Sequence, residues 1–362
     1  MAKFSEVLCI VNGKNQRKVE NPNGKYPIYG SGGIMGYAND YLCDANTVVI
    51  GRKGSINNPI YVETPFWNVD TAFGLCSDVS KLYPKYLYYF CVNFDFEQLN
   101  TTVTIPSLTK SNLLNIEIPL PPLDEQRRIA AVLDKVSDLT AKRRAQLDKL
   151  DELVKARFVE MFGDPVDNPY DWAVAKLMNF GECKNGLNFH TDDSGVKIHC
   201  LGVGDFKDLS IIEDTSKLPT ISLNEMPCDD YLLANGDIVF VRSNGNKALV
   251  GRSVVVYPND ITTTFSGFCI RFRIQNSAIL PSYLLRVLKT DSMRKKMAGR
   301  GANIQNLNQK ILTELRIPIP GLALQEEFEL FLKKVDNSKL TIQQSLDKLK
   351  ILKKALMQQY FG

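Results

Sequence analysis

The sequence predicts an α+β chain of two β-rich globular domains separated by two long antiparallel coiled-coil helices, the halves related by a pseudo-twofold internal repeat. Three observations lead there. A phrase is written twice, "IEIPLPPLDEQ" from Ile116 and "LRIPIPGLALQ" from Leu315. Two long stretches lack Gly and Pro, Leu123 to Phe162 and Leu322 to Phe361. The remainder holds short β-branched runs bounded by Gly, Asn or Pro.

The repeat sets the frame. Ile118 and Ile317 are 199 residues apart, and that offset runs without a gap to the end, pairing Gln126 with Gln325, Leu147 with Leu346, and Phe162-Gly163 with Phe361-Gly362. It also pairs "IPSL" at Ile105 with "IQNL" at Ile304. Farther upstream the spacing drifts while the order holds. "YPKYL" at Tyr83 answers "LPSYL" at Leu280, "FGLC" at Phe73 answers "SGFC" at Ser266, and "VVIGRKG" at Val48 roughly answers "VFVRSNG" at Val239. Drift with preserved order means one scaffold carrying loops of different length. The chain divides as 1–116, a globule; 117–163, a helical spacer; 164–315, a second globule; and 316–362, a second helical spacer.

In each copy the prolines stop a strand, because proline cannot donate in a ladder. In the second arm Phe328, Val335, Ile342, Leu349 and Leu356 recur every seven residues beside Leu332 and Leu346. The first arm repeats this with Ile129, Val136 and Leu150, interrupted by Arg143 and Arg157 and flanked by Leu133, Leu147, Val154 and Met161. A helix this long needs cover for its apolar stripe, and the other arm is the nearest candidate, running antiparallel. The alternative is that each arm packs on its own globule. Arg127-Arg128, Lys142-Arg143-Arg144 and Lys353-Lys354 read as solvated helix faces.

Composition bounds the chemistry. At 362 residues, 44% apolar and 23% charged, the chain can bury two cores. No apolar run is long enough to span a bilayer, and the N-terminus lacks a signal-peptide pattern, so the expectation is a cytoplasmic protein with no membrane contact. The eight cysteines are scattered singly with no CxxC pair. The net charge of +4 permits a polyanionic partner without requiring one. With two histidines only, His190 and His199, neither a His-centred triad nor a multi-His metal site is expected. "GRKGS" has the wrong spacing for a phosphate-cradling loop, and "DNPYDW" at Asp167 reads as a turn after a helix. Binding is favoured over catalysis.

Loops supply the binding chemistry. Tyr29 and Ser31 lie in a glycine-rich stretch; Arg52, Lys53, Asn57 and Asn58 crowd "GRKGSINN". Arg242, Ser243, Asn244, Asn246, Lys247 and Arg252 occupy "VRSNGNKALVGRS", and Arg300, Asn303 and Gln305 occupy "AGRGANIQN". Arg and Lys match the acceptor edge of guanine, Asn and Gln match adenine, and glycine lets backbone approach phosphate. The same residues also build ordinary turns. Their clustering at matching places of both globules points to DNA.

These motifs carry a family likeness. With "IPSLTKSNLLNIEIPLPPLDEQRRIAAVLDKV" at Ile105, "RFVEMFGDPVDNPYDW" at Arg157, "GDIVFVRSNGNKALVGRS" at Gly236 and the closing "LMQQYFG", the chain resembles the specificity (S) subunit of type I restriction-modification enzymes over essentially its full length. The resemblance implies two target recognition domains, each reading one half of a split, asymmetric site on double-stranded DNA, with the helices fixing the gap. It implies a chain with no catalytic activity and no cofactor. Two modification subunits would bind S-adenosylmethionine and methylate adenine, and restriction subunits would use ATP and Mg to translocate and cut.

Overall fold

A computed structural model describes residues 1–100, 105–190, 193–206, 210–298 and 306–362. The chain forms two compact units, Met1–Leu147 with Thr341–Gly362, and Asp148–Leu340, so each unit holds part of both long helices.

The first unit runs β1 (Ala2–Lys3), α1 (Phe4–Val7), β2 (Leu8–Asn12), β3 (Tyr26–Gly30), β4 (Gly33–Ala38), β5 (Thr47–Gly51), β6 (Ile60–Val62), β7 (Trp67–Asn68), β8 (Ala72–Ser77), α2 (Pro84–Asn93), α3 (Lys110–Leu114), β9 (Glu117–Ile118) and the start of α4 (Leu123–Phe162). Its strands form sheets ordered β2-β8-β5-β6 and β4-β3-β7, with β1 paired to β9. The second unit runs β10 (Ala173–Lys176), β11 (Gly181–Asn185), β12 (Val196–Leu201), β13 (Ile211–Ile212), β14 (Thr220–Leu223), β15 (Asp237–Val241), β16 (Ser253–Val256), β17 (Thr263–Phe265), β18 (Cys269–Ile274), α5 (Pro281–Lys289), α6 (Asp291–Ala298), α7 (Gln309–Glu314), β19 (Arg316–Ile319) and the start of α8 (Leu322–Phe361). Its sheets, β11-β18-β15-β16-β13, β14-β12-β17 and β10-β19, repeat the first set with one added edge strand. Even the mixed sense recurs: β3 pairs antiparallel with β4 and parallel with β7, as β12 does with β14 and β17.

The repeated phrase has a physical reason. Gln126 is fully buried; its Oε1 accepts from the Tyr83 amide at 2.8 Å, and its Nε2 donates to the carbonyls of Lys81 and Pro121. Gln325, equally buried, accepts from the Leu280 amide at 2.9 Å and donates to the carbonyls of Ala278 and Pro320. The Tyr86 hydroxyl donates to the Pro119 carbonyl and the Tyr283 hydroxyl to the Pro318 carbonyl, each at 3.0 Å. In both copies the junction therefore fastens the first turn of a long helix to the loop and helix before it, pairing backbone groups that burial would otherwise leave unsatisfied.

Both long helices have the bounds that the Gly- and Pro-free stretches predict. Asp124 and Glu125 in the first turn of α4 suit the positive end of the helix dipole. At its far end the Gly163 amide bonds to the Val159 carbonyl with φ +75°, where a Cβ would lie 2.3 Å from Pro169, so only glycine fits.

Within the first unit, Met357 of α8 is buried in a cluster with Ile129, Ala130 and Leu133 of α4, and the Lys353 ammonium donates to Ser137. Within the second, Val154, Phe158 and Phe162 of α4 share a core with Phe328, Leu332 and Val335 of α8, joined by the Arg157–Glu327 and Lys339–Asp151 ion pairs. The beginning of each helix thus meets the end of the other, as antiparallel pairing requires. The alternative expectation also holds in part, because the same clusters include strand and short-helix residues of the globule. Arg127 and Arg128 pair with Asp124 and Glu125 on an exposed face, whereas Lys353 is half-buried, which pushes its ammonium down.

Two alignments of the drifting region are corrected. The Arg52 amide donates to the Thr71 carbonyl and the Arg242 amide to the Phe268 carbonyl, each at 2.8 Å. Arg52 therefore corresponds to Arg242, one residue off the sequence match. The strand Phe73-Gly74-Leu75 corresponds to Ile270-Arg271-Phe272, so "SGFC" lies mostly in the turn before it. A one-residue slip exchanges the two faces of a strand, and since β5 and β15 are buried on both faces, the hydrogen-bond pairing rather than burial fixes the match. Pro318 is also no stop, since it lies within β19 opposite Val174 in a two-stranded ribbon.

Candidate nucleic-acid interface

In the first unit, Arg52 and Lys53 follow fully buried β5 and are held from two sides. Their amides donate to the Thr71 carbonyl, the Leu108 amide donates to the Arg52 carbonyl at 2.9 Å, and the Gly54 amide donates to the Pro106 carbonyl. The Arg52 guanidinium lies 5.7 Å from the Phe73 ring centroid, and Lys53 is exposed. Ser31 packs against the same turn, its Cβ 3.1 Å from where a Gly51 Cβ would stand and its Oγ 3.7 Å from the corresponding point on Gly54. Tyr29 sits behind, edge-on to Phe66 at 5.4 Å; burial pushes its phenol up. Ser31, Arg52 and Lys53 are thus brought together, with Tyr29 on the strand leading in. Asn57 is otherwise engaged: its Oδ1 accepts from the Phe96 amide at 2.7 Å and its Nδ2 donates to Asp95 at 2.8 Å. Asn58 beside it is exposed.

The second unit repeats the arrangement. The Leu307 amide donates to the Arg242 carbonyl at 2.8 Å, as the Leu108 amide does to the Arg52 carbonyl, and the two leucines stand at the offset of the repeat. Arg242 also reaches the Gly267 carbonyl at 3.4 Å. Asn244 accepts from the Asn246 amide at 2.7 Å and Asn246 from the Ala248 amide at 3.1 Å, so two Asx turns in series shape the loop beside Ser243. Lys247 opens the helical turn that follows; its side chain, like all of Arg300, Asn303 and Gln305, lies outside the described residues.

Arg252 is tied to the same strand end, its carbonyl accepting from the Val241 amide at 2.9 Å. It lines a cavity of about 730 Å³ with Lys155, Arg286, Lys289 and Arg294, facing Asp151, Asp164 and Asp291. Burial, then the charges of Arg286, Arg252 and Arg294, push the Lys289 ammonium down to about 7, and its Nζ donates to Ser210 at 2.9 Å. Such a basic wall suits a phosphate better than a base edge. The sequence reading missed Phe268, an apolar ring 63% exposed directly beside Arg242 and Ser243. A phenylalanine in a Ser-Gly-Phe turn was the available signal.

Among the described residues no three His, Cys, Asp or Glu side chains are grouped to hold a metal ion, and no helix is long and apolar enough to cross a membrane. His199 hydrogen-bonds the Leu218 carbonyl at 3.0 Å.

Two α+β units built on one scaffold, each with a loop cluster at the same strand end, define a duplicated architecture, and comparison with known proteins identifies its family. The chain belongs to the type I restriction modification DNA specificity domain family, whose model matches residues 1–149 and 169–351. It is similar to the type I restriction enzyme MjaVIII specificity subunit of Methanocaldococcus jannaschii, 27% identical over 254 residues, covering 64% of this chain and 58% of that one. It is likewise similar to the StySPI specificity subunit of Salmonella potsdam, 24% identical over 298 residues, covering 76% and 64%. The chain thus spans roughly three-fifths of the length of these two relatives. The fold matches the S subunit of a type I restriction-modification system from M. genitalium, with TM-score 0.61, 16% identity and coverage of 100% and 95%. A chain from a structure concerned with complex assembly and conformational transition of the type I R-M system gives TM-score 0.62, 17% identity and coverage of 99% and 96%.

Proposed function

We propose that this chain is the non-catalytic DNA sequence-recognition subunit of a type I restriction-modification system, acting in the cytoplasm. Each recognition domain, 1–116 and 164–315, reads one half of a bipartite asymmetric site. The paired helices set the spacer and dock two modification subunits carrying S-adenosylmethionine; restriction subunits bring ATP and Mg. The observation that supports this most is the matched setting of Arg52 and Arg242, each fixed by its own amide and carbonyl just past a buried strand, with the Arg52 guanidinium by the Phe73 ring and the Arg242 guanidinium at the Gly267 carbonyl. A pre-positioned guanidinium is the group that reads guanine bidentately.

Exchange of residues 1–116 for those of another family member is expected to alter one half of the methylated site and leave the other unchanged, as read by sequencing of adenine methylation. A change in the other half sinks the division of labour. Arg52→Ala and Arg242→Ala are each expected to weaken specific binding by about 1 to 3 kcal/mol and relax one base position. A loss that is equal on all sequences and flattens the salt dependence would instead assign that arginine to phosphate.

A further inference from the structure

Three of the free cysteines lie side by side in the first unit. Cys9 of β2 stands directly opposite Cys76 of β8 in an antiparallel pair. The flanking bonds show what kind of pair it is. The Asp78 amide donates to the Val7 carbonyl at 2.8 Å and the Gly13 amide to the Ala72 carbonyl at 3.2 Å. Hydrogen-bonded pairs alternate along such a ladder, so Cys9 and Cys76 form one. Their Cα atoms are then about 5.5 Å apart, inside the range a disulfide spans and close to its commonest value.

Access and environment differ among the three. Cys9 is exposed, Cys76 half-buried and Cys43 buried beneath Gly74, where a Cβ would lie 2.5 Å from its sulfur. The Thr47 hydroxyl is 3.5 Å from the Cys76 sulfur. The neighbouring Cys43 thiol, the Thr47 hydroxyl and the Cys9 thiol favour the Cys76 thiolate and push that thiol below its usual range, against burial and the Asp44 carboxylate, while the Cys43 S–H itself donates to Asn68 Oδ1 at 3.4 Å. The Cys9 thiol is raised, first by burial and then by Cys76, with the Lys110 ammonium opposing. The thiol lowered in this way is half-buried, and an accessible one faces it across the ladder.

We propose that Cys76 and Cys9 form an oxidisable dithiol site that reacts with hydroperoxides. The Cys76 thiolate attacks the peroxide, the O–O bond breaks, and Cys76 becomes a sulfenic acid while the other oxygen leaves as hydroxide or alkoxide and takes a proton. The Cys9 thiol then attacks the Cys76 sulfur, forming the S–S bond and releasing water, which carries away the Cys9 proton. In sum two thiols lose two hydrogens and the peroxide is reduced to water, or to water and an alcohol. A small dithiol reverses the step by exchange.

The test treats the full chain with hydrogen peroxide and maps disulfides by mass spectrometry without reduction. A Cys9–Cys76 link is expected, erased by dithiothreitol. In Cys9→Ser, Cys76 is expected to stop at a sulfenic acid that dimedone traps; in Cys76→Ser, no link forms. The oxidation rate should rise up to about pH 7 and then level off, whereas an ordinary thiol keeps gaining to about pH 9. Free Cys9 and Cys76 after treatment, a link through Cys43 instead, or a rate still climbing tenfold above pH 7 would each overturn the assignment.

Discussion

Replacing Gln325 by leucine is expected to lower the stability of the second unit by about 3 to 5 kcal/mol, because three backbone groups lose their partner in a dry site at 1 to 3 kcal/mol each, partly offset by relaxation. The groups are the Leu280 amide and the carbonyls of Ala278 and Pro320, and the leucine that replaces Gln325 offers them nothing. Gln126→Leu is expected to do the same to the first unit through Tyr83, Lys81 and Pro121. Urea unfolding followed by hydrogen exchange resolved for each unit measures both. Exposed Gln359→Leu serves as the control and should stay within about 0.5 kcal/mol of the parent. Equal losses for Gln359 and Gln325 would mean that side-chain volume, not hydrogen bonding, sets the effect.

The second large effect is expected from Phe162→Ala. The ring is 1% exposed and lies 4.8 Å from Tyr283, 5.2 Å from Phe158 and 5.4 Å from Phe328, so its removal leaves a cavity where α4, α5 and α8 meet, costing about 3 to 5 kcal/mol. The repeat supplies its own comparison. Phe361, the equivalent residue, touches Tyr86 at 5.1 Å and Phe90 at 5.9 Å but is only half-buried, so Phe361→Ala should cost less. Thermal and urea melts of the two variants check the order; a larger loss for Phe361 would contradict the burial argument.

The long helices and their junctions were legible because their signals are local and repeated: Gly and Pro mark the ends, and the offset of 199 residues pairs Gln126 with Gln325. The sheets were less so. Between the junctions the copies differ in loop length, and without an anchor the strand match slid by one residue at Arg52 and by four at Phe73. No Gly or Pro between Pro281 and Ala298 marks the break between α5 and α6 at Thr290, whose backbone turns extended while its hydroxyl bonds back to the Val287 carbonyl. Composition also could not separate an asparagine aimed at solvent from one that fastens a neighbouring turn, as Asn57 does at Phe96. Nor could it show that Arg252 faces a cavity wall, since that depends on α5 and α6 packing beside it.

One aromatic contact has a wider meaning. Phe90 of α2 touches Phe4 at 5.7 Å and Phe361 at 5.9 Å, so residues near the two extremities of the polypeptide lean on one ring. Phe4, Phe90 and the last turn of α8 thereby belong to one core of the first unit, so a change at any of the three rings is passed on to the other two.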